Sequence, residues 1–207
     1  MSQVCVIDYG MGNLRSLANA LHAVGADVRV AGEPGEAAGI ARWILPGVGA
    51  FGSAMRCLRE RGWVDALHEH RAAGRPFFGI CLGFQVLFER GFEHGAHDGL
   101  GWIQGDVTRF ETQLHVPHVG WNVVRPSRPH AIWAGLPDAS HMYFVHSYRP
   151  VGVPAAAVLG ETAYDGDFVC AVVQGAALGV QFHPEKSGAD GLRLLRNFLV
   201  WRPQEDA

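Results

Sequence analysis

The sequence predicts an α/β fold: an open, mostly parallel twisted sheet with helices on both faces, and antiparallel strands added in its C-terminal half. Three observations predict it. Over the first hundred residues, short apolar runs alternate with stretches of helical periodicity, the pattern of a parallel sheet covered on both faces. Beyond residue 100, strand-like runs follow one another across Gly, Pro and Asp breaks, the pattern of antiparallel pairing. The 207 residues are 48% hydrophobic and contain no repeat, low-complexity tract or linker, so residues 1–207 are expected to form a single domain.

The elements follow in order. "QVCVID" is a strand, and "LRSLANALHAVG" a helix with Leu14, Leu17, Leu21 and Val24 at helical spacing. Asn13 stands where an N-cap belongs and Gly25 where the helix stops. "DVRVAG" and "RWILPG" are the next strands, and residues 53–73 read as helical. "PFFGIC" is a strand leading into a helix over "LGFQVLFERG". "DVTRF", "HVGWNVV", "MYFVHSY", "AAAVLGE", "FVCAVVQ" and "LGVQF" are expected as antiparallel strands, and "DGLRLLRNFLVW" closes the chain as an amphipathic helix.

Composition narrows the chemistry. A net charge of -3 spread along the chain gives no basic surface for nucleic acid or anionic lipid. No apolar run approaches the roughly 20 residues that span a bilayer, and MSQVCVIDYG lacks the basic start and apolar stretch of a signal peptide. Cys5, Cys57, Cys81 and Cys170 form no CxxC pair or disulfide framework, which fits a reducing cytoplasm. None of the eleven histidines falls in a paired ligand spacing, and His68 and His70 would point to different faces of a helix, so neither metal nor cofactor is expected.

One cysteine stands apart. In "FFGICLGFQVLF", Gly79-x-Cys81-x-Gly83 marks a strand-to-helix elbow whose tight turn leaves no room for side chains on either side of the nucleophile. Such a turn lifts the sulfur to the carboxyl ends of the strands, where open α/β sheets bind ligands. The start of the following helix would favour thiolate, and the Leu82 N–H would face a developing oxyanion. A buried apolar cysteine at an ordinary turn is the plainer reading of those five residues. A nucleophile needs a base and a group to orient it. "GVQFHPEKS" offers His183 and Glu185, two apart in a segment that Pro184 biases toward extended geometry, where both side chains share a face. "ILPGVGAFG" adds a strand-ending loop that is either a plain strand-to-helix turn or, beside a cysteine elbow, a nest for an anion built from the Gly47, Gly49 and Gly52 amides, with a peptide free to turn because glycine adopts positive φ cheaply.

GICLGFQ, HPEK and PGVGAF together resemble the class I (triad) glutamine amidotransferases, over residues 4–199. "DYGMGNLRS" at 8–16, "PHVGWN" at 117–122 and "YFVHSY" at 143–148 narrow the resemblance to the glutaminase subunits of imidazole glycerol phosphate synthases. Phe84 and Val119 depart from the methionines usual at those positions, both apolar exchanges. The resemblance implies Cys81 as nucleophile, His183 as base and then acid, and Glu185 as orienting carboxylate. It implies an oxyanion hole from the Leu82 amide with that of Val48 or Gly49, and a glutamine pocket of Gln85, Glu93, Tyr143 and Ser147. "RGFE" departs from the acidic pair usual around Glu93. Asn13, Trp121 and Lys186 would face a partner, a (β/α)₈ cyclase subunit forming a heterodimer and receiving ammonia from glutamine. Three readings compete: a paralogous subunit feeding another acceptor; a cysteine-elbow redox or stress protein without amidase activity, which would leave Glu185 and the pocket residues unexplained; and a non-catalytic interaction module, against which the intact Cys81, His183 and Glu185 set argues.

Overall fold

In the computed structural model, which describes residues 2–203, the chain forms β1 (Gln3–Ile7), α1 (Leu14–Ala23), β2 (Asp27–Ala31), β3 (Trp43–Leu45), α2 (Phe51–Glu60), α3 (Trp63–Ala72) and β4 (Phe77–Ile80). There follow α4 (Leu82–Gln85), β5 (Phe88–Gly91), β6 (His97–Asp98), β7 (Ile103–Arg109), β8 (His118–Pro126), β9 (Ser140–His146) and β10 (Tyr148–Val151). The last elements are β11 (Val158–Ala163), β12 (Asp167–Gln174), β13 (Ala177–Val180) and α5 (Gly188–Val200). A nine-stranded sheet runs in the order β2-β1-β3-β4-β13-β12-β11-β8-β9, and a second sheet in the order β10-β7-β5-β6. The pairings from β2 to β13 are parallel and those from β13 to β9 antiparallel.

Alternation along each strand divides the core in two. Val4 and Val6 of β1 pack on one face with Leu17 and Leu21 of α1 and Leu194 and Phe198 of α5. Cys5 and Ile7 point to the other face, among Phe51 and Leu58 of α2, Leu67 of α3 and Ile103 of the second sheet. Each fully buried Phe or Leu contributes roughly 1.5–3 kcal/mol of transfer free energy, so both faces are heavily committed. Asn13 caps α1 as its position predicts, its side chain accepting the Ser16 N–H at 3.3 Å.

Three expectations need correction. The helical stretch at 53–73 is two helices, α2 and α3, divided at Gly62, whose left-handed φ of 71° stops the first and turns the chain. The helix expected over "LGFQVLFERG" lasts one turn. Its second half becomes β5, because Phe88, Arg90 and Gly91 find strand partners in β7, a tertiary pairing that overrides local periodicity. Finally, "LGVQF" gives β13, which is antiparallel to β12 but parallel to β4. That parallel pairing matters, because β3, β4 and β13 are adjacent strands pointing the same way. The loops leaving their carboxyl ends are "PGVG", "CLG" and "QFHPE", the three motifs singled out from the sequence.

Candidate active site

The elbow is built by glycines with no room for a Cβ. One on Gly79 would collide with the Gly83 carbonyl, and one on Gly83 with the carbonyl of Leu45, both backbone and unable to swing aside. Cys81 takes φ 55° and ψ -105°, a conformation that costs a non-glycine residue about 1–3 kcal/mol and that the surrounding packing imposes. Its own N–H is held by the Val180 carbonyl at 2.8 Å, and its carbonyl accepts the Gln85 N–H at 3.0 Å.

His183 lies past the end of β13, 3% exposed. Its backbone N–H donates to the Tyr143 carbonyl at 2.9 Å, and its carbonyl accepts the Ser187 hydroxyl at 2.6 Å. His183 and Glu185 do meet, with Nδ1 2.7 Å from Oε1 and both side chains almost fully buried. The route differs from the expected extended alternation: Pro184–Lys186 is a single turn of 3₁₀ helix with Pro at its first position, where the fixed proline φ suits helical geometry. Burial alone would depress the imidazole. The neighbouring Cys81 sulfur and the Nδ1 bond to Glu185, with the negative charge each can carry, outweigh it and push His183 up to about 10, while Nε2 itself makes no hydrogen bond among the described residues. The His183 ring therefore keeps its proton at neutral pH, placed between the Cys81 sulfur and the Glu185 side chain.

The cleft above the sulfur has a volume of about 270 Å³ and is lined by Val48, Gly49, Leu82, Gln85, Glu93 and Ser147, among others. A cavity of about 470 Å³ near Arg128 and Gly175 is roomier but offers no nucleophile, so chemistry rather than volume locates the site. Both Gln85 amide hydrogens are committed, to the Tyr148 carbonyl and to Gln181 Oε1, each at 3.0 Å. Contact with a ligand falls to Gln85 Oε1. Glu93 Oε2 accepts the Phe51 N–H at 2.9 Å, at the start of α2 where a carboxylate is favoured. Ser147 stands between β9 and β10, where the chain crosses from the large sheet to the small one. Tyr143 is not among the lining residues; its backbone braces the His183 segment, donating to Ser187 Oγ at 3.0 Å.

The expected oxyanion donors are only partly free. The Leu82 N–H donates to the Gly47 carbonyl at 3.3 Å, so the "PGVG" loop occupies it. A Cβ on Gly47 would strike the Tyr9 hydroxyl, while Gly49 holds φ at 113°. Gly52 serves packing instead: it lies inside α2, against the His97 ring. On the adjoining surface, Asn13, Val48, Val119, Trp121 and Lys186 are exposed, Trp121 at 55%. The Lys186 ammonium lies 5.5 Å from the Tyr143 ring centre, and the Trp121 ring meets Tyr143 edge-on at 6.2 Å, so the three form one cluster.

Sequence reasoning missed Gln181 and a buried histidine pair. His146 Nδ1–H donates to the Tyr148 carbonyl at 2.8 Å, which leaves Nε2 to accept from His118 Nδ1 at 3.0 Å. His118 Nε2 then accepts from Asn122 at 3.2 Å. Burial depresses both rings, His118 to about 4 and His146 to about 3. The available signal was their position inside "PHVGWN" and "YFVHSY". Among the described residues no cluster of potential ligands would hold a metal ion, and no helix is long and apolar enough to cross a membrane.

Comparison with known proteins gives the family. The family described as glutamine amidotransferase class-I matches residues 5–201. Imidazole glycerol phosphate synthase subunit HisH of Symbiobacterium thermophilum is 46% identical over 198 residues, 96% of this chain and 93% of its own length. HisH of Salinibacter ruber is 44% identical, with 98% of this chain and 96% of its own covered. Among solved structures, one described as a glutamine amidotransferase superposes with a TM-score of 0.76 at 24% identity over 95% of this chain and 96% of its own. PurLQS from Thermotoga maritima superposes at 0.77 with 18% identity over 95% and 97%. With a family match across nearly its full length and relatives of this similarity, the chain belongs to the class I glutamine amidotransferases.

Proposed function

We propose that this chain is the glutaminase subunit of an imidazole glycerol phosphate synthase, a single catalytic domain that hydrolyses glutamine and passes ammonia to a cyclase subunit. The observation that carries the reading is the elbow cysteine beside a buried imidazole–carboxylate pair, in a chain 46% identical to HisH along its length. The Cys81 thiolate attacks the side-chain amide carbon of glutamine. His183 gives its proton to the departing nitrogen, forming a thioester, and then takes a proton from the water that releases glutamate. Glu185 holds the ring and balances the imidazolium. Gln85 Oε1 and Glu93 are suited to the substrate ammonium, with Ser147 closing the pocket and Tyr143 bracing the His183 segment behind it.

The tetrahedral oxyanion would be held by the Leu82 N–H and that of Val48 or Gly49, each such donor worth roughly 3 kcal/mol. Gly47 here accepts from Leu82, so turning the loop is the natural control point. The exposed Asn13, Trp121 and Lys186 surface next to that loop would meet the (β/α)₈ cyclase, whose docking constrains the loop and receives ammonia before water protonates it. The setting is a reducing cytoplasm.

The test is glutaminase activity of the purified chain with and without the cyclase and its bound ligand. Stimulation is expected. Cys81→Ala should abolish glutamine-dependent synthesis by the complex yet leave ammonia-dependent synthesis intact. Equal hydrolysis with and without the partner, or loss of both syntheses in a folded complex, would refute the reading.

A further inference from the structure

We infer that Gln181 is a positioning residue for the nucleophile, its side-chain amide holding the Cys81 sulfur while its carbonyl fixes the Gln85 amide that faces the substrate. The inference rests on the glutaminase reading for its substrate, but its geometry does not. Gln181 is fully buried, directly after β13, its backbone N–H held by the Cys170 carbonyl at 2.8 Å. Burying a primary amide costs free energy unless its atoms are bonded, and an apolar side chain of the same volume would fill that space without the cost. Here the bonds are made. Gln181 Oε1 accepts from Gln85 Nε2 at 3.0 Å, and Gln181 Nε2 donates toward Cys81 Sγ at 3.8 Å, within the reach of an N–H···S bond.

The direction of these bonds is forced from one end. The Tyr148 carbonyl only accepts, so Gln85 must present its NH₂ there, at 3.0 Å. The second hydrogen of that NH₂ then demands an acceptor, which sets Gln181 Oε1 toward Gln85 and Nε2 toward the sulfur. The chain Tyr148–Gln85–Gln181–Cys81 has one polarity. The same Tyr148 carbonyl is anchored by His146 at 2.8 Å, so its starting point is fixed too. A donor at the end of such a chain stabilises sulfur as thiolate over thiol and aims it toward the cleft. Gln85 Oε1 is the atom left for the substrate head. A ligand bound there would polarise the Gln85 amide and strengthen each bond down to the sulfur. The titratable groups that act on the same sulfur are His183, with Glu185 behind it, and Tyr9, whose phenol is kept neutral by burial.

The test is the pH dependence of Cys81 alkylation by iodoacetamide in Gln181→Met, read alongside kcat and KM for glutamine. Methionine matches the volume and removes the donor. In a folded variant the alkylation midpoint should rise by about one pH unit, lowering reactivity at neutral pH and kcat about tenfold. A midpoint within about 0.2 unit of wild type overturns the proposal, since a residue that merely filled space would not move it. Alkylation needs no glutamine, so this arm stands even if the chain hydrolyses none. If Gln181→Met does not fold, the wild-type protein with ¹⁵N-labelled glutamine carries the test. The Gln181 side-chain amide resonance should titrate with the alkylation midpoint and lose that step in Cys81→Ala; a resonance that ignores the Cys81 titration overturns the proposal.

Discussion

Replacing Glu185 with Gln isolates the charge behind His183 while keeping the shape of the pair. Nδ1 and Oε1 are 2.7 Å apart and the two side chains are 4% and 5% exposed, so solvent screens them little. For charge centres about 4 Å apart at an effective dielectric constant of about 20, the carboxylate contributes about 4 kcal/mol to holding the imidazolium. The amide oxygen of Gln still accepts from Nδ1, and a neutral bond keeps roughly half the strength of a charge-assisted one. The net loss is about 2 kcal/mol, or about 1.5 pH units of His183 basicity and about thirtyfold in rate if the imidazolium protonates the leaving nitrogen. His183, raised to about 10 in the fold, must keep its proton for that step. The alkaline limb of kcat/KM should therefore move from near pH 10 to about pH 8.5 in Glu185→Gln. The assay is glutaminase activity of the assembled complex across that range, with KM measured at each pH. A limb within about 0.3 unit of wild type, with kcat reduced less than threefold, would refute the assignment of Glu185 as the charge that holds His183.

Two further predictions rest on burial and packing. His70, His118 and His146 are depressed by burial to about 4, 4 and 3 from 6.5, so between about pH 6.5 and pH 4 the unfolded chain binds more protons at these three sites than the fold does, and they outweigh the opposite effect of His183, raised to about 10, so that stability falls with acidification. Each histidine contributes up to about 1.4 kcal/mol per pH unit, about 4 together, and urea unfolding at pH 5 within about 1 kcal/mol of its pH 7 value would contradict the burial argument. Gly83→Ala places a Cβ inside the Leu45 carbonyl oxygen and should cost more than about 3 kcal/mol. Gly35→Ala meets nothing within 4 Å and should leave the melting temperature close to wild type; equal melting temperatures for the two variants would refute the elbow's steric account.

Much of the parallel half was legible because each of its elements carries a local signal. β1 is a short apolar run, α1 has its cap and its 3.6-residue stripe, and the elbow glycines announce a turn no side chain fits. "LGFQVLFERG" misled because its apolar spacing suits a helix in isolation, and the strand partner that claims Phe88 arrives only at Ile103. The His183–Glu185 contact was legible as a pairing but not as a geometry, since either an extended segment or a 3₁₀ turn brings residues two apart within reach of each other.

What the sequence by itself determined is the set of chemical groups: a cysteine between glycines, a histidine and a glutamate two apart, and a glycine loop, each readable because backbone sterics and side-chain chemistry act over a few residues. Tertiary structure alone decided that these stand together, by setting β3, β4 and β13 side by side and parallel so that three distant loops leave the sheet at one edge. It alone aimed Gln181 at the sulfur and gave the Leu82 amide to Gly47. The direction of a hydrogen bond depends on partners distant in the chain, 100 residues away for Gln181 and Cys81, and no local pattern encodes it.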